Sequence, residues 1–310
     1  MRRVGEFSER ELIEVIASLL GEYYAGIPFG YLDDAGALKV MGRWFFLKID
    51  GTSFKTSKYP WMGFDDLAYR VALGAAIDVI AKGGVPVALT ASVGLRKDMM
   101  LGDVEGIARG LRDSCRALNA LFLGGDLNVS EDGWLDVAVL GVSTNPVGNK
   151  GLKPGHRVYA TKCLGVSSVP ALTYYEKILS EDHIKKFLNV LRRPDPPLRF
   201  LKDVDRVRVS TDISDGLESL RNVLKINGVA MRLRAESLCK EVLEISEQYS
   251  IEIKKILRYM GEEYSIAIFT EQEMPEDYVL IGEVVEGPPG LIYLGEKELR
   301  GGWDNLKGWL

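Results

Sequence analysis

Six aspartates in five short motifs carry most of the chemistry that this chain of 310 residues could do. Asp34 sits in Leu32-Asp33-Asp34-Ala35-Gly36, and Asp50 closes the apolar run Trp44-Phe45-Phe46-Leu47-Lys48-Ile49-Asp50. Asp78 interrupts the apolar stretch from Ala72 to Ala81, and Asp126 ends Leu123-Gly124-Gly125-Asp126. Asp212 and Asp215 share Ser210-Thr211-Asp212-Ile213-Ser214-Asp215-Gly216-Leu217. Each motif follows or interrupts a hydrophobic run, where a carboxylate is costly unless paired or metal-bound. Lys and Arg are scarce beside most of them, so hard divalent cations are the expected counter-charge. The pattern predicts magnesium-dependent handling of phosphate.

The motifs differ in how much each says alone. At Asp212–Leu217 a β run (Val207-Arg208-Val209-Ser210) gives way to a helix. Ser214 or Asp215 is expected to cap that helix, whose free N–H groups suit a phosphate. Capping explains one aspartate there but not two. Gly124-Gly125 either clears space for a ligand or makes a β-turn. Asp78 needs a buried partner; an ion pair with Arg70 or Lys82 would be of the exposed kind and worth little. Asp33-Asp34 alone reads as a solvated turn. Met260-Gly261-Glu262-Glu263-Tyr264 is either a substrate loop or a helix end with a charged turn. Trp303, in the Gly-flanked tail Gly301-Gly302-Trp303-Asp304, either stacks on a planar ligand or packs.

The elements that must position these residues read as follows. Ser8-x-x-Glu11 is a capping box opening a helix to about Leu20. Leu38 to Val40 and Arg43 to Asp50 form a hairpin about Met41-Gly42. Helices are expected over Asp65–Lys82 and Leu101–Ala120, the first ending at Gly83-Gly84 with Pro86 beyond. Strands are expected over Val87–Gly94, Leu121–Leu123 and Trp134–Val142. Residues 143 to 156, rich in Gly, Pro, Asn and Lys, make the best linker. Beyond it, strands are expected at 157–162, 207–211, 229–233, 264–269, 278–285 and 291–294. Helices are expected near 168–179, 182–191, 215–226 and 237–258. The class is α+β.

Composition excludes other chemistries. With 46% hydrophobic and 27% charged residues, the chain can build an ordinary core. A net charge of −5 gives no footprint for nucleic acid. No uncharged apolar run is long enough for a membrane span, and Glu6, Glu9, Glu11 and Glu14 rule out a signal peptide after Met1-Arg2-Arg3. Cys115, Cys163 and Cys239 lie far apart, so neither structural zinc nor a disulfide is expected, as suits a reducing cytoplasm. The two histidines, His156 and His183, lie in polar sequence and read as solvated surface groups.

Taken together, the motifs resemble the thiamine-monophosphate kinase family, of the superfamily that includes aminoimidazole ribonucleotide synthetase, selenide water dikinase and the hydrogenase-maturation dehydratase. Gly5-Glu6-Phe7 matches the family's opening, and Asp33-Asp34-Ala35 resembles its Gly-Asp-Asp-Ala. Asp50 falls at its Thr-Asp, and Asp78 at its Ser-Asp-Ile-Ala-Ala-Met-Gly. Gly124-Gly125-Asp126 and Lys153-Pro154-Gly155 resemble Gly-Gly-Asp-Thr and Lys-Pro-Gly-Asp. Asp212 to Leu217 is identical to its Asp-Ile-Ser-Asp-Gly-Leu. Gly261-Glu262-Glu263-Tyr264 and Gly302-Trp303-Asp304 resemble Gly-Glu-Asp-Tyr and Gly-Tyr-Asp.

The resemblance implies a two-domain, PurM-like α+β fold. Its N-terminal domain (1–148), a ferredoxin-like sheet and helices, would serve metal, ATP and dimerisation; 149–310 would be the second domain. It implies a cytoplasmic homodimer that transfers phosphate directly from ATP, with several Mg²⁺, to thiamine monophosphate. It makes Asp34, Asp50, Asp78, Asp126, Asp212 and Asp215 metal ligands. Gly125, Asp126, Asn149 and Ser214 would meet ATP, and Ser57, Glu262 and Trp303 the acceptor. The acceptor is already an ionised phosphate, so no general base is implied. The chain departs from the family where Ile49 replaces Thr, Ser57 replaces His, Asn149 replaces Arg and Leu32 replaces Gly. These departures keep open a non-catalytic or differently specific ATP-binding paralogue.

Overall fold

The computed structural model describes residues 3–21 and 33–310, apart from the side chains of Glu181 and His183. Met1, Arg2, Leu32 and the His183 imidazole therefore lie outside the described residues.

The capping box forms: Ser8 accepts from the Glu11 amide, Glu11 accepts from the Ser8 amide, and α1 runs Glu9–Leu20. β1 (Gly36–Val40) and β2 (Arg43–Ser53) pair antiparallel about Met41-Gly42, both at positive φ as a tight hairpin requires. After the short α2 (Phe54–Ser57) come α3 (Phe64–Ala81), β3 (Val85–Leu95), α4 (Leu101–Leu118), β4 (Leu121–Val129) and β5 (Trp134–Ser143). The first sheet has the order β1-β2-β5-β3-β4, with only β3 and β4 parallel. β4 continues through Gly124-Gly125-Asp126 with a bulge at Gly124 (φ +99°), where the sequence suggests a loop after a shorter strand.

The second sheet takes its strands from residue 157 onward: β6 (Arg157–Ala160), β7 (Val209–Asp212), β8 (Ala230–Leu233), β9 (Ile266–Thr270), β10 (Val279–Val285), β11 (Ile292–Leu294) and β12 (Lys297–Glu298). Its order is β12-β11-β8-β10-β6-β9-β7. The helices are α5 (Ser168–Glu176), α6 (Glu181–Ile184), α7 (Leu188–Arg192), α8 (Leu217–Asn227), α9 (Lys240–Gln248) and α10 (Ile253–Arg258). The tail closes in a small hairpin, β13 (Trp303–Asp304) with β14 (Gly308–Trp309). This is the expected two-domain α+β architecture, although 182–191 is broken into short turns and nothing in the sequence pattern announces the tail hairpin.

α3 is the hinge of the whole arrangement. It is apolar nearly all round and buried from Leu67 to Ala81, as a helix packed on both sides must be. One side lies on β2 and β5. The other meets the second sheet, whose Ile266 and Ile268 enter the same core. Alternate residues Ala267 and Phe269 of β9 enter a second core beneath α8 and α9. The second sheet is thus covered on both faces, whereas the first is covered on one.

Two expectations from composition fail. Cys163 and Cys239 form a disulfide across 76 residues, because the isolated bridge Leu164–Leu238 brings the two segments side by side. His156 is only 3% exposed and bonds Glu271 at 3.0 Å. Its own backbone pairs with Val284, which turns the ring inward at the start of β6.

Candidate active site

A cavity of about 710 Å³ opens between the two sheets, and its lining brings Asp33, Asp34, Asp50, Asp78, Asp212 and Asp215 together. β2 supplies Lys48 and Asp50 from one face, since residues two apart on a strand point the same way. α3 supplies Asp78 from above them. Gly74 makes the approach possible: a Cβ there would stand 2.7 Å from Asp50 Oδ2. β7 ends at Asp212, whose Oδ2 accepts from the Ser214 amide at 2.7 Å and from the Ser214 hydroxyl. That turn, not a cap, is the work of Asp212; α8 starts at Gly216 without a side-chain cap, so neither Ser214 nor Asp215 fills the expected role. Gly216 has φ +65°, and a Cβ on it would meet the Met260 carbonyl at 2.4 Å. The loop carrying Asp215 therefore packs directly on the loop carrying Glu262.

Lysines occupy this acidic wall, contrary to the expectation of scarce cations. Lys48 Nζ lies 2.6 Å from Asp78 Oδ2. Lys82, fully buried, lies 2.6 Å from Asp33 Oδ1 and 3.0 Å from Asp34 Oδ2, and also donates to the Ser210 carbonyl. Asp78 thus pairs with neither Arg70 nor Lys82. The local i,i+4 reading fails because α3 is buried on every side, so Lys82 turns away from Asp78 toward β1. The signal for Lys48 was present, two residues before Asp50 on the same strand face.

The electrostatics follow from this crowding. Burial pushes the Asp34 carboxyl up to about 6, with Lys82 opposing and Asp212 and Asp33 adding repulsion. Burial also raises Asp50, and raises Asp78 and Asp215 well above the carboxylate range; repulsion from Asp212 contributes in all three. Lys48 and Lys82 are held above the usual lysine range: burial disfavours their charge, but the facing carboxylates outweigh it.

The donor set fits a hard cation in chemistry: it is all oxygen, anionic and only partly neutralised by the lysines. Its placement is not a cage, since among the described residues no three acidic, His or Cys side chains converge on one ion. That suits magnesium, which is held by one or two carboxylates together with substrate phosphates and water.

Aromatic side chains share the cavity with the aspartates. Tyr59, Tyr175, Trp303 and Trp309 line it together with Ser57, Glu262 and Arg70. Glu262 is 3.1 Å from the buried Arg70 guanidinium, which also donates to the Leu191 carbonyl at 2.5 Å. Trp303 meets Trp309 edge-on at 5.3 Å and donates from Nε1 to Asn305. The tail is strapped rather than loose: Glu9 in α1 binds Asn305 and Asp304, and the Trp303 amide donates to the Asp215 carbonyl. Arg70, Tyr59, Tyr175 and Trp309 have no sequence motif to reveal them.

Gly125, Asp126 and Asn149 do not join this cavity. Asp126 pairs in register with Ser92, then Asp136, then Gly51, so it shares the sheet face opposite Asp50. Asn149 is buried outside the lining, and its carbonyl accepts from Asn227 at 2.7 Å.

The fold has counterparts among known proteins. Residues 32–143 match the family described as AIR synthase related protein, N-terminal domain. Among the relatives that the chain is similar to are thiamine-monophosphate kinases. That of Pyrobaculum calidifontis is 27% identical over 265 residues, 85% of this chain and 87% of the relative. That of Aquifex aeolicus is 27% identical over 317 residues, covering 98% and 100%. The solved structure of AaThiL complexed with AMPPCP and TMP matches in fold with a TM-score of 0.87 at 23% identity, over 98% of this chain and 99% of that one. The structure of tt0281 from Thermus thermophilus gives 0.82 at 27% identity, over 96% and 99%.

Proposed function

We propose that this chain transfers the γ-phosphoryl group of ATP directly to thiamine monophosphate, giving thiamine diphosphate. The observation that carries the reading is the convergence of Asp33, Asp34, Asp50, Asp78, Asp212 and Asp215 on one cavity that aromatic side chains and Glu262 also line. The near full-length similarity to curated thiamine-monophosphate kinases supports the same acceptor.

Magnesium, arriving with the nucleotide, would neutralise the phosphates that must meet. The chain does the rest by position. The acidic wall orients the triphosphate, and the Ser214 hydroxyl lies beside it. Glu262, steered by Arg70, faces the acceptor's organic cation, and Trp303 offers its ring to the heterocycle. Ser57 stands at the acceptor side where the family has His. No base is needed to ionise a phosphate nucleophile, so in-line positioning carries the rate.

The active unit in this reading is a homodimer, with the domains divided at 148/149 and the first domain self-pairing. The open face of the first sheet carries exposed Leu47 and Ile49, and its edge strand β4 carries exposed Leu121 and Leu123, an apolar area that a monomer would not leave wet. Asp126 lies on that face, so it would reach a nucleotide only in the site of a second copy, whereas Gly125 pairs in line with Ala91, Val137 and Asp50 on the other face. We place the enzyme in the cytoplasm; intracellular disulfides are a habit of heat-adapted proteins.

The test is product formation by chromatography. Wild type should convert thiamine monophosphate to the diphosphate with ATP and Mg²⁺. Asp212→Asn, which keeps an acceptor for the Ser214 amide, should be slower by about a hundredfold or more. A variant at wild-type rate would remove the acidic wall from the reaction.

A further inference from the structure

We infer that Lys48 and Lys82 are built-in counter-ions, which stand in for part of the metal complement and confine magnesium to the carboxylates they do not reach. The inference rests on the reading of the cavity as a magnesium and nucleotide site, and sharpens which residues hold the ion.

The aspartates of the wall fall into two sets. Lys82 spans Asp33 and Asp34 at 2.6 and 3.0 Å, and Lys48 holds Asp78 at 2.6 Å. The second oxygen of Asp34 is also taken, by the Thr211 hydroxyl at 3.0 Å. Three carboxylates and two ammonium groups leave one net negative charge on this set. Asp50, Asp212 and Asp215 have no Lys or Arg in ion-pair contact among the described residues, and leave three. Asp50 receives only the Gly51 amide on Oδ1, at 2.8 Å, and Asp212 receives only Ser214.

A divalent ion bound to Asp34 or Asp78 would sit about 2 Å from an oxygen that an ammonium already touches. The two cations would then face each other within a few ångströms, where partial burial weakens screening by water. An ion at Asp212 or Asp215 avoids that contact, and one at Asp50 has Lys48 as a neighbour on the same strand face but beyond ion-pair distance. The lysines are fixed there for structural reasons. Lys82 has no exposure, its stem is enclosed by the core, and its third partner is the Ser210 carbonyl. Lys48 is carried on the same strand face as Asp50. Lys82 also stands where the family motif ending Ala-Ala-Met-Gly has an uncharged Met, so a relative built on that motif lacks this counter-ion.

The measurement is a titration of Mn²⁺ into the full chain in the presence of AMPPCP, with free Mn²⁺ read by electron paramagnetic resonance. Lys82→Met should bind at least one more Mn²⁺ per chain than wild type, or bind its last ion at least about tenfold more tightly. Lys48→Met should do the same. Because Lys48 sits at the cavity rim, it carries the test if Lys82→Met does not fold. The unfolding temperature supplies a second readout. Without metal each variant should melt below wild type, and Mn²⁺ should raise the variant more than it raises wild type. Identical stoichiometry and affinity in wild type and Lys48→Met would overturn the inference while leaving the kinase reading intact. Failure of wild type and variants alike to bind Mn²⁺ with nucleotide would overturn the kinase reading as well.

Discussion

Asp34 and its neighbours are held in a state that folding alone does not favour. Asp34 keeps its proton up to about pH 6 in the folded chain, whereas the unfolded chain releases it near 3.8. On Asp34 the folded state thus binds more protons in that window, so the contribution of this group to metal-free stability falls as pH rises from about 4 to about 6. Asp50, Asp78 and Asp215, raised in the same direction, extend the loss to higher pH. Thermal unfolding in chelator across this range should show the decline, and saturating Mg²⁺ with nucleotide should flatten it. A metal-free melting temperature that climbs between pH 4 and pH 6 would contradict the assignment. Trp303 makes a separate prediction. Its ring faces the cavity and rests on Trp309, so Trp303→Ala should raise the KM for thiamine monophosphate several-fold and leave that for ATP nearly unchanged. Equal effects on both substrates would reduce Trp303 to a packing residue.

At the scale of elements, the site depends on loops that are stitched together from distant parts of the chain. Glu263 accepts from the Gly165 amide at 2.8 Å and from the Ser167 hydroxyl, so the segment after Cys163 supports the loop that presents Glu262. The Cys163–Cys239 disulfide ties that segment to the start of α9. Closing a loop across 76 residues is worth about 4 kcal/mol by chain entropy. Cys163→Ser should lower the unfolding temperature by several degrees, and reductant should do the same to wild type but not to the variant. Equal sensitivity of both to reductant would mean that the bond is not formed in solution. This bond was not legible in the sequence, because spacing says nothing about a bridge that a distant pair of segments creates. The regular elements were legible: the capping box at Ser8, the Met41-Gly42 hairpin and the run of α3 all announce themselves locally. The acidic motifs were legible too, each as an aspartate at the end of an apolar strand or inside an apolar helix. Lys82 as their partner was not, because a fully buried lysine looks in sequence like any helix-ending lysine, whereas Lys48 could be seen two residues before Asp50 on the same strand face. The strapping of Asp304 and Asn305, next to Trp303, by Glu9 was hidden likewise, since it joins residues far apart in the chain.

For the whole molecule, the account requires two copies. The open face of the first sheet, with Leu47 and Ile49 exposed, would be covered in a homodimer, and Asp126 on the same side would be carried toward the partner's acidic cavity. Sedimentation should give twice the chain mass of 34.4 kDa. Ile49→Lys should shift the protein toward monomer and cost activity with it. An active monomer would separate Asp126 from the reaction. The central claim is the transfer itself, and it is tested most directly by following label. The pure protein is incubated with Mg²⁺, thiamine monophosphate and ATP labelled at the γ-phosphorus. The account predicts that label appears in the terminal phosphate of thiamine diphosphate, in step with ADP. ADP released with label only in inorganic phosphate, or label that never leaves ATP, would contradict it and favour an ATP-binding relative that has lost, or exchanged, its acceptor.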